Sequence, residues 1–341
     1  MSAPARSPVA VLGVDGGNSK LDVALVAAGG AVLGAARGQG ASFTPEDHEA
    51  SMRTLMATIE RACADAGLEA ASRPLAGVGA FCLAGDDLPV DDRRLLRGLR
   101  GLGLAATTLV RNDTFAVLRA GTERGWGIGV VCGAGMNCCG VAPDGRVVRF
   151  AALGEVSGDD GGGGWLGLQA VRAAVRGHDG RGPHTTLERE VPAFLGRRSL
   201  LAVLEAVHLG ELDAYPTELA PLVFRCAAEG DAVAQALLDR QADELVAMVV
   251  SAVRRLRLAR REVEVVLGGG VIRAGDGRFL ARVEHGVCAV APHAVLKPLQ
   301  AAPVVGAALL GLDSMGSPPA AASQVRRALT HDRLTATEAE A

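Results

Sequence analysis

The sequence predicts an α/β protein of two domains, each a mixed five-stranded sheet flanked by helices. Three observations lead to this fold class. Apolar segments of strand length alternate with helical segments, three short strands open the chain with only glycine turns between them, and the same order of strands and turns starts again at residue 127. A chain of 341 residues is long enough to bury the cores of two such domains.

The first half follows the order strand, strand, strand, helix, strand, helix, strand, helix. These predicted elements lie at residues 9–15, 21–27, 31–36, 45–66, 77–83, 89–99, 107–110 and 114–120. Three consecutive short strands form an antiparallel meander, whereas strands joined through crossover helices run parallel, so the sheet is mixed. At the first helix, Thr44 is a suitable N-cap and Pro45 suits the first helical position.

The second half repeats this architecture without repeating the sequence. Its predicted strands lie at residues 127–132, 137–142, 146–150 and 262–267, with a short strand near Val295. Residues 165–258 are largely helical, and residues 231–258 are amphipathic over a length that suits one helix. Helices over residues 278–290 and 304–312 complete the core, and residues 314 onward are predicted as a helix or a frayed tail.

Composition argues against several classes of function. The net charge is −3 without a basic stripe, and aromatic residues make up only 3%, which speaks against binding to nucleic acid or to an anionic membrane. No apolar stretch has the length of a membrane helix, and residues 1–8 lack the apolar segment of a secretory signal. The seven cysteines are odd in number and show no CxxC spacing, which favours a reduced, cytoplasmic protein.

Four clusters of glycine or acidic residues each follow a predicted strand, at residues 15–17, 112–113, 133–135 and 268–270. Ligands of open α/β sheets gather outside the strand ends, so two such halves that face each other would form a cleft. The cluster Asp15-Gly16-Gly17 suits a turn that wraps nucleotide phosphates, because glycine lets backbone N–H groups point at an anion. A carboxylate beside an anion is tolerable when it holds a cation such as Mg²⁺. An ordinary glycine hairpin turn is the alternative for this segment.

Together these clusters resemble the BadF/BadG/BcrA/BcrD ATPase family, and within it the N-acetylglucosamine kinases, in the actin-like ATPase superfamily. The resemblance covers roughly residues 9–312 and rests on residues 15–20, 112–121, 133–137, 158–167, 267–271 and 303–308. It implies two actin-like, ribonuclease H-like domains with an interdomain cleft. The N-terminal domain would contain residues 1–118 plus about 303–325, and the C-terminal domain would contain residues 119–302. The resemblance also implies a homodimer.

The same resemblance implies ATP and Mg²⁺ as cofactors and assigns residues to them. Asp15 would hold Mg²⁺. The phosphates would be lined by Gly16, Gly17, Asn18, Ser19 and Lys20 in the first motif and by Gly133, Ala134 and Gly135 in the second. Gly269 and Gly270 would lie flat against the adenosine, where a side chain would block the approach. The family usually has hydroxyl residues at the positions of Ala134 and Met136, so two side-chain contacts to phosphate are missing here.

For the acceptor, the resemblance implies that the sugar is bound by Asn112, Asp113, Asn137 and Asp159. Asp113 would be the general base that takes the proton of the attacking hydroxyl. Asp113 could instead cap the helix that starts there, although Asn112 also suits the cap. Asp159 lies in a glycine-rich run that is either part of the sugar site or a flexible surface loop.

These assignments predict an ATP-dependent kinase that phosphorylates the 6-hydroxyl of an amino sugar, N-acetylglucosamine or glucosamine. The partner is thus a small-molecule sugar. One alternative is an activator ATPase of the 2-hydroxyacyl-CoA dehydratase/benzoyl-CoA reductase type, whose cysteine-ligated iron–sulfur cluster lies between subunits. The other is a protein that binds nucleotide or sugar without turnover, which Ala134 and Met136 would favour.

Overall fold

The computed structural model describes residues 8–274 and 276–336, which divide into two compact units. The first unit contains the chain up to Gly129 and again from Leu299 onward, and the second is Val130–Pro298. The sequence-based domain limits, residues 1–118 with 303–325 and residues 119–302, remain a prediction.

The first unit opens with the predicted meander. Its elements in chain order are β1 (Val11–Gly16), β2 (Lys20–Val26), β3 (Val32–Gln39), α1 (His48–Asp65), β4 (Ala76–Leu83), α2 (Pro89–Gly101), β5 (Ala105–Arg111) and α3 (Asp113–Gly121). The strand order is β3-β2-β1-β4-β5. β1 pairs antiparallel with β2 and parallel with β4, so the predicted mixed five-stranded sheet is confirmed.

The first helix starts later than its sequence predicts. α1 has Asp47 as its N-cap residue, without a side-chain hydrogen bond. The Thr44 hydroxyl instead accepts the N–H of Asp47 at 3.4 Å, which holds residues 44–47 as a turn ahead of the helix. The predicted N-cap at Thr44 and helical start at Pro45 are therefore wrong.

The second unit contains the second sheet, apart from the start of its first strand, and most of the described helices. Its elements are β6 (Gly127–Cys132), β7 (Met136–Val141), β8 (Val147–Arg149), α4 (Gly163–His178), α5 (Leu187–Phe194), α6 (Leu200–His208), α7 (Ala220–Ala228), α8 (Ala232–Leu256), β9 (Glu264–Gly268), α9 (Gly270–Arg273), α10 (Gly277–Cys288) and β10 (Val295–Pro298). The order β8-β7-β6-β9-β10 repeats that of the first sheet. The predicted duplication of architecture is therefore confirmed, and so is the single long helix, which Asp231 caps through Val233 and Ala234.

The chain then returns to the first unit with α11 (Val304–Ser314), α12 (Pro319–Ala328) and α13 (His331–Ala336). α11 lies directly against β1, because a Cβ placed on Gly13 would stand 2.8 Å from the backbone nitrogen of Ala308. Leu12 and Val14 point to the opposite face, where they pack in one core with residues of α1 and α2. Asp15 therefore shares the α11 face with Gly13, since alternate residues of a strand lie on one face. Within the described ranges, no helix has the length and apolar character needed to cross a membrane.

Candidate functional site

The first bend, residues 17–20, joins β1 to β2 and is held by backbone hydrogen bonds. The N–H of Gly17 donates to the Lys20 carbonyl at 2.9 Å, and the Gly17 carbonyl accepts the N–H of Ala41 at 2.9 Å. Asn18 and Ser19 at the tip are exposed, and no described residue accepts their backbone N–H groups. The bend thus presents two successive amides that an anion can use.

The reasons for glycine differ between positions 16 and 17. A Cβ on Gly16 would stand 2.7 Å from Cε2 of Phe43 and 3.0 Å from Cδ2 of Leu83, so packing alone requires glycine there. At Gly17 the nearest atom to such a Cβ is the Lys20 carbonyl oxygen at 3.6 Å, which is ordinary contact distance. Packing therefore does not explain glycine at position 17, and room for a ligand remains as a reason.

Asp15 is a buried carboxylate at the end of β1, with 6% of its surface exposed. Asp22 of β2 lies directly opposite in the sheet. Burial raises the pKa of Asp15 well above its ordinary value, the charges of Asp22 and Asp113 raise it further, and Lys20 and Arg37 oppose the rise. Among the residues that the structure describes, none donates a hydrogen bond to its carboxylate. A bound cation would favour the ionised form, so the environment of Asp15 fits a metal ligand.

The described part of the chain contains no group of three or more His, Cys, Asp or Glu side chains that could hold a metal ion by itself. Mg²⁺ is commonly bound through one or two carboxylates, several waters and substrate phosphates. Asp15 would be the protein ligand in such a site.

Lys20, the first residue of β2, belongs to a partly buried ion-pair network. Its ammonium Nζ lies 3.4 Å from Oδ2 of Asp22, whose side chain has no exposed surface. Arg37 of β3 approaches the same carboxylate with two nitrogens, Nε at 2.7 Å from Oδ1 and Nη2 at 2.9 Å from Oδ2. No sequence motif predicted a role for Asp22 or Arg37, although an Asp inside an otherwise apolar predicted strand was a visible signal.

Asp113 is the first residue of α3, beside the end of β5. The helix is capped by Asn112, whose Oδ1 accepts the N–H of Thr114 at 3.0 Å, so the prediction that Asn112 is the cap is confirmed. Nδ2 of Asn112 donates to Oδ1 of Asp87 at 2.9 Å, which fixes the cap. Burial raises the pKa of Asp113 to about 6, and hydrogen bonds from the N–H groups of Thr114 and Asp113 itself limit the rise. A carboxyl with this pKa suits general base catalysis near neutral pH.

The second bend, residues 133–135, joins β6 to β7. The N–H of Gly133 donates to the carbonyl of Gly135 at 2.9 Å, so this amide is used within the bend. At the start of α4, Gly163 and Gly164 donate their N–H groups to the carbonyls of Gly133 and Ala134 at 2.7 and 2.9 Å. In the described chain, no group accepts the N–H of Ala134 or of Gly135. These two amides are the ones that the second bend offers to an anion.

Met136, the first residue of β7, is nearly buried and packs against the loop of residues 157–162, which precedes α4. A Cβ on Gly161 would stand 2.8 Å from its Sδ, so the thioether covers the backbone of that loop. Below the bend, the fully buried Gln241 donates from Nε2 to Sγ of Cys132 at 3.3 Å. Burial raises the pKa of Cys132 to about 12, so this thiol is a neutral packing group.

The predicted sugar-binding residues of the second unit have separate partners. Asn137 accepts the N–H of Cys138 at 2.7 Å through its own Oδ1. Asp159 accepts the hydroxyl of Ser157 in the same loop. Asp160 next to it is ion-paired to Arg240 of α8, whose guanidinium also stacks 5.1 Å from the ring centre of Trp165. Arg240 therefore connects the loop of residues 157–162 to α8, a contact between residues 80 apart that no local pattern reveals.

The two glycines assigned to adenosine have different surroundings. Gly269 has a φ of +102°, and a Cβ there would overlap the carbonyl oxygen of Cys132, so only glycine fits between β9 and β6. Gly270 begins α9, and the nearest atom to a Cβ on it is Nη2 of Arg273 at 3.9 Å. Gly269 is thus required by packing, whereas the space beside Gly270 is open to a ligand.

Comparison with known sequences connects this geometry to one family. The sequence profile of the BadF/BadG/BcrA/BcrD ATPase family matches residues 12–311. The chain is 29% identical over 265 residues to an N-acetylmuramic acid/N-acetylglucosamine kinase of Clostridium acetobutylicum, covering 77% of this chain and 85% of that protein. It is 26% identical over 245 residues to an N-acetyl-D-glucosamine kinase of Dictyostelium discoideum, covering 70% of this chain and 76% of that protein.

Solved structures of sugar kinases have a similar fold. A Chromobacterium violaceum protein assigned provisionally as an N-acetylglucosamine kinase superposes with a TM-score of 0.71 and 28% identity, covering 88% of this chain and 98% of that one. A ROK family glucokinase from Streptomyces griseus, solved with glucose and AMPPNP, superposes with a TM-score of 0.55 and 18% identity, with the same coverage of 88% and 98%. At that identity the second likeness concerns the fold alone.

Proposed function

Because the chain belongs to the BadF/BadG/BcrA/BcrD ATPase family, we propose that it is an ATP-dependent kinase for an amino sugar. The proposed reaction moves the γ-phosphoryl group of ATP to the 6-hydroxyl of N-acetylglucosamine or glucosamine. Two curated relatives named as N-acetylglucosamine kinases support this substrate class, and the first of them is also named for N-acetylmuramic acid. The observation that carries the proposal is the carboxyl of Asp113, which is partly buried at the start of α3 and has its pKa raised to about 6.

In the proposed reaction Asp113 accepts a hydrogen bond from the sugar hydroxyl and takes its proton as the oxygen attacks the γ-phosphorus. The bond from that phosphorus to the β,γ-bridging oxygen breaks, and ADP leaves. A well-placed base contributes about 10²–10⁴-fold to such a step. Since little covalent chemistry is left to the protein in phosphoryl transfer, the rest of the rate would come from positioning and charge neutralisation.

The remaining assignments follow from the charges and free amides of each unit. Asp15 would hold Mg²⁺, which supplies charge neutralisation on the phosphates when bound. In the first unit, Lys20 and the amides of Asn18 and Ser19 are the proposed phosphate contacts. In the second unit, the amides of Ala134 and Gly135 are proposed for the same ligand class.

A panel assay tests this proposal. ADP release would be measured with ATP, Mg²⁺ and each of N-acetylglucosamine, glucosamine, N-acetylmuramic acid, N-acetylmannosamine and glucose, with a no-sugar control. We expect one amino sugar to stimulate ADP release, and phosphorus NMR of the product to place the phosphate on the 6-oxygen. A 6-deoxy analogue of the preferred sugar is the matched control and should give no stimulation. Sugar-independent ADP release, or none with any sugar, would contradict the proposal.

The activator ATPase alternative receives no support from the thiols. All seven cysteines lie in described residues; six are buried, and Cys288 is partly exposed. A cluster shared between subunits needs thiols at the surface, and this chain offers no exposed pair.

A further inference from the structure

Three strands of the first sheet bring Asp15, Asp22 and Arg37 into one line. Asp15 of β1 lies directly opposite Asp22 of β2, and Asp22 lies directly opposite Arg37 of β3. Directly opposed residues of neighbouring strands share a face, so the three side chains stand side by side on the face that α11 covers. Lys20 lies two residues before Asp22 and therefore points to the same face.

The row of charged side chains formed by Asp15, Asp22 and Arg37 does not improve the stability of the fold. Two aspartates directly opposite each other repel. The side chain of Asp22 has no exposed surface, so solvent does not screen its charge. A buried ion pair such as Asp22–Arg37 adds little net stability, because removing both charges from water costs about as much as their attraction returns. Apolar residues would serve the sheet as well or better. Local choices that conflict with folding are concentrated at functional sites.

The contacts of Lys20 indicate what the line does. Lys20 ends the first bend, its side chain is 25% exposed, and its ammonium group is ion-paired with Oδ2 of Asp22. A lysine side chain has a flexible four-carbon stem, so the stem alone does not fix the position of the ammonium group. Asp22 is fixed, because Arg37 binds both of its oxygens in the two-pronged geometry that gives the greatest directional control. The position of the Lys20 ammonium is therefore set through Asp22 by Arg37.

We propose that Asp22, clamped by Arg37, is a positioning residue that aims the ammonium group of Lys20 at the phosphates of ATP. This inference rests on the proposed function, in which the first bend binds those phosphates. Asp22 itself touches neither ATP nor sugar. Its effect passes through Lys20, so it should vanish when Lys20 can no longer carry a charge.

The test is a double-mutant cycle on nucleotide affinity. The Kd of the non-hydrolysable analogue AMPPNP would be measured by calorimetry with Mg²⁺ for the wild type, Asp22→Asn, Lys20→Met and the double variant. Asp22→Asn keeps the side-chain size and removes the charge. We expect it to weaken AMPPNP binding about 5- to 10-fold, and to have less than about a twofold further effect in the Lys20→Met background. Equal effects in both backgrounds would overturn the proposal, because Asp22 would then act on folding or on the site as a whole.

Two further variants separate positioning from damage to the fold. Asp313→Asn is the matched control, since Asp313 pairs with both Nε and Nη2 of Arg119 in the same unit, at 2.6 and 3.1 Å, away from the bend. It should leave the Kd of AMPPNP unchanged. If Asp22→Asn fails to fold because Arg37 is left unpaired, the combined variant Asp22→Asn with Arg37→Met removes both charges and should fold. That variant must show the same loss of affinity, and wild-type affinity in it would also overturn the proposal.

The result does not depend on the sugar. If the wild type binds AMPPNP but phosphorylates no sugar, the proposed function fails while the cycle still tests the role of Asp22. If a sugar is phosphorylated and the cycle is additive, the proposed function stands and the positioning role fails. With a good sugar substrate, the KM for ATP should follow the Kd, while the KM for the sugar stays within about twofold of the wild type.

Discussion

In the strand after the first bend, the first and third residues are Lys20 and Asp22, whereas in the strand after the second bend the same places hold Met136 and Cys138. The first pair is charged and linked to Arg37. The second pair is neutral, because Met136 has no charge and burial raises the pKa of Cys138 well above its ordinary value. The two units thus have the same strand order, but the side chains next to the bend are charged in the first unit and neutral in the second.

The backbone of the two bends is nevertheless alike. In each, the first glycine uses its N–H to close the bend, and the two residues after it have amides without an acceptor among the described residues. The first unit places Lys20, Asp15 and Asp22 in the strands next to these amides, whereas the strand after the second bend has the neutral Met136 and Cys138 at the matching places. If both bends bind phosphate, the first unit should control catalysis through charge, and the second should act through backbone shape alone.

The largest effect should come from the charge of Asp113 in the first unit. Asp113→Asn keeps the shape and removes the base, so kcat should fall about 10²–10⁴-fold while the Kd of AMPPNP stays within about twofold. The fold should not suffer. Burial raises the pKa of Asp113 from 3.8 to about 6, so the wild type loses stability as the pH rises through this window, and the amide does not. We expect a Tm at pH 8 equal to or above that of the wild type.

Kinetics and thermal melts of the same preparation check this prediction. Retention of more than about a tenth of kcat would contradict the role of Asp113 as base. A large fall in Tm would show instead that the carboxylate supports the helix start. Asn112 already caps α3 through Thr114, so we expect no such fall.

A second effect should appear in the pH profile. Because the base must be ionised, kcat/KM should fall tenfold for each pH unit below about 6, the pKa of Asp113. The residual activity of Asp113→Asn should lack this acid limb. Asp15 also has a raised pKa, but Mg²⁺ would compete with protons for it. If the pH at which kcat/KM falls shifts with Mg²⁺ concentration, the titrating group is Asp15, and the prediction is contradicted.

The fold could be predicted because its signals are local. Apolar segments, glycine turns and the Asp231 cap of α8 each lie within a few residues of the element they specify. The charged line could not be predicted, because it depends on register. A bulge between Leu25 and Val26 shifts the pairing of β2 and β3 by one residue. Without that bulge, Asp22 would lie opposite Ala36, and Arg37 would point to the other face of the sheet.

The candidate site shows the same limit. The sequence located both bends and Asp113, because each follows an apolar strand directly. The family resemblance implied that Gly133, Ala134 and Gly135 line the phosphates. The N–H of Gly133 donates to the Gly135 carbonyl, whereas the N–H groups of Ala134 and Gly135 have no acceptor among the described residues. Which amide stays free is decided by the conformation of three residues and by hydrogen bonds from α4. Such details are not encoded in residue type.

The smallest predicted effect compares the two bends directly through Gly17→Ala and Gly135→Ala. A Cβ on Gly17 meets its nearest atom at 3.6 Å, and a Cβ on Gly135 meets nothing within 4 Å. Neither glycine has a positive φ, so both variants should fold, with a Tm equal to or slightly above that of the wild type. If phosphate approaches each bend closely, each methyl group should weaken AMPPNP binding by about tenfold or less, equivalent to about 1.4 kcal/mol.

Gly29→Ala and Gly277→Ala are the matched controls for the two units, since a Cβ on either meets no atom within 4 Å and neither has a positive φ. Both should leave the Kd of AMPPNP unchanged. A loss at Gly17 alone would mean that the second bend does not contact the phosphates, and that its glycines serve the packing of α4. Equal losses at Gly17 and Gly135 would mean that backbone approach matters similarly in both bends. The difference between the units would then lie in Lys20, Asp22 and Asp15.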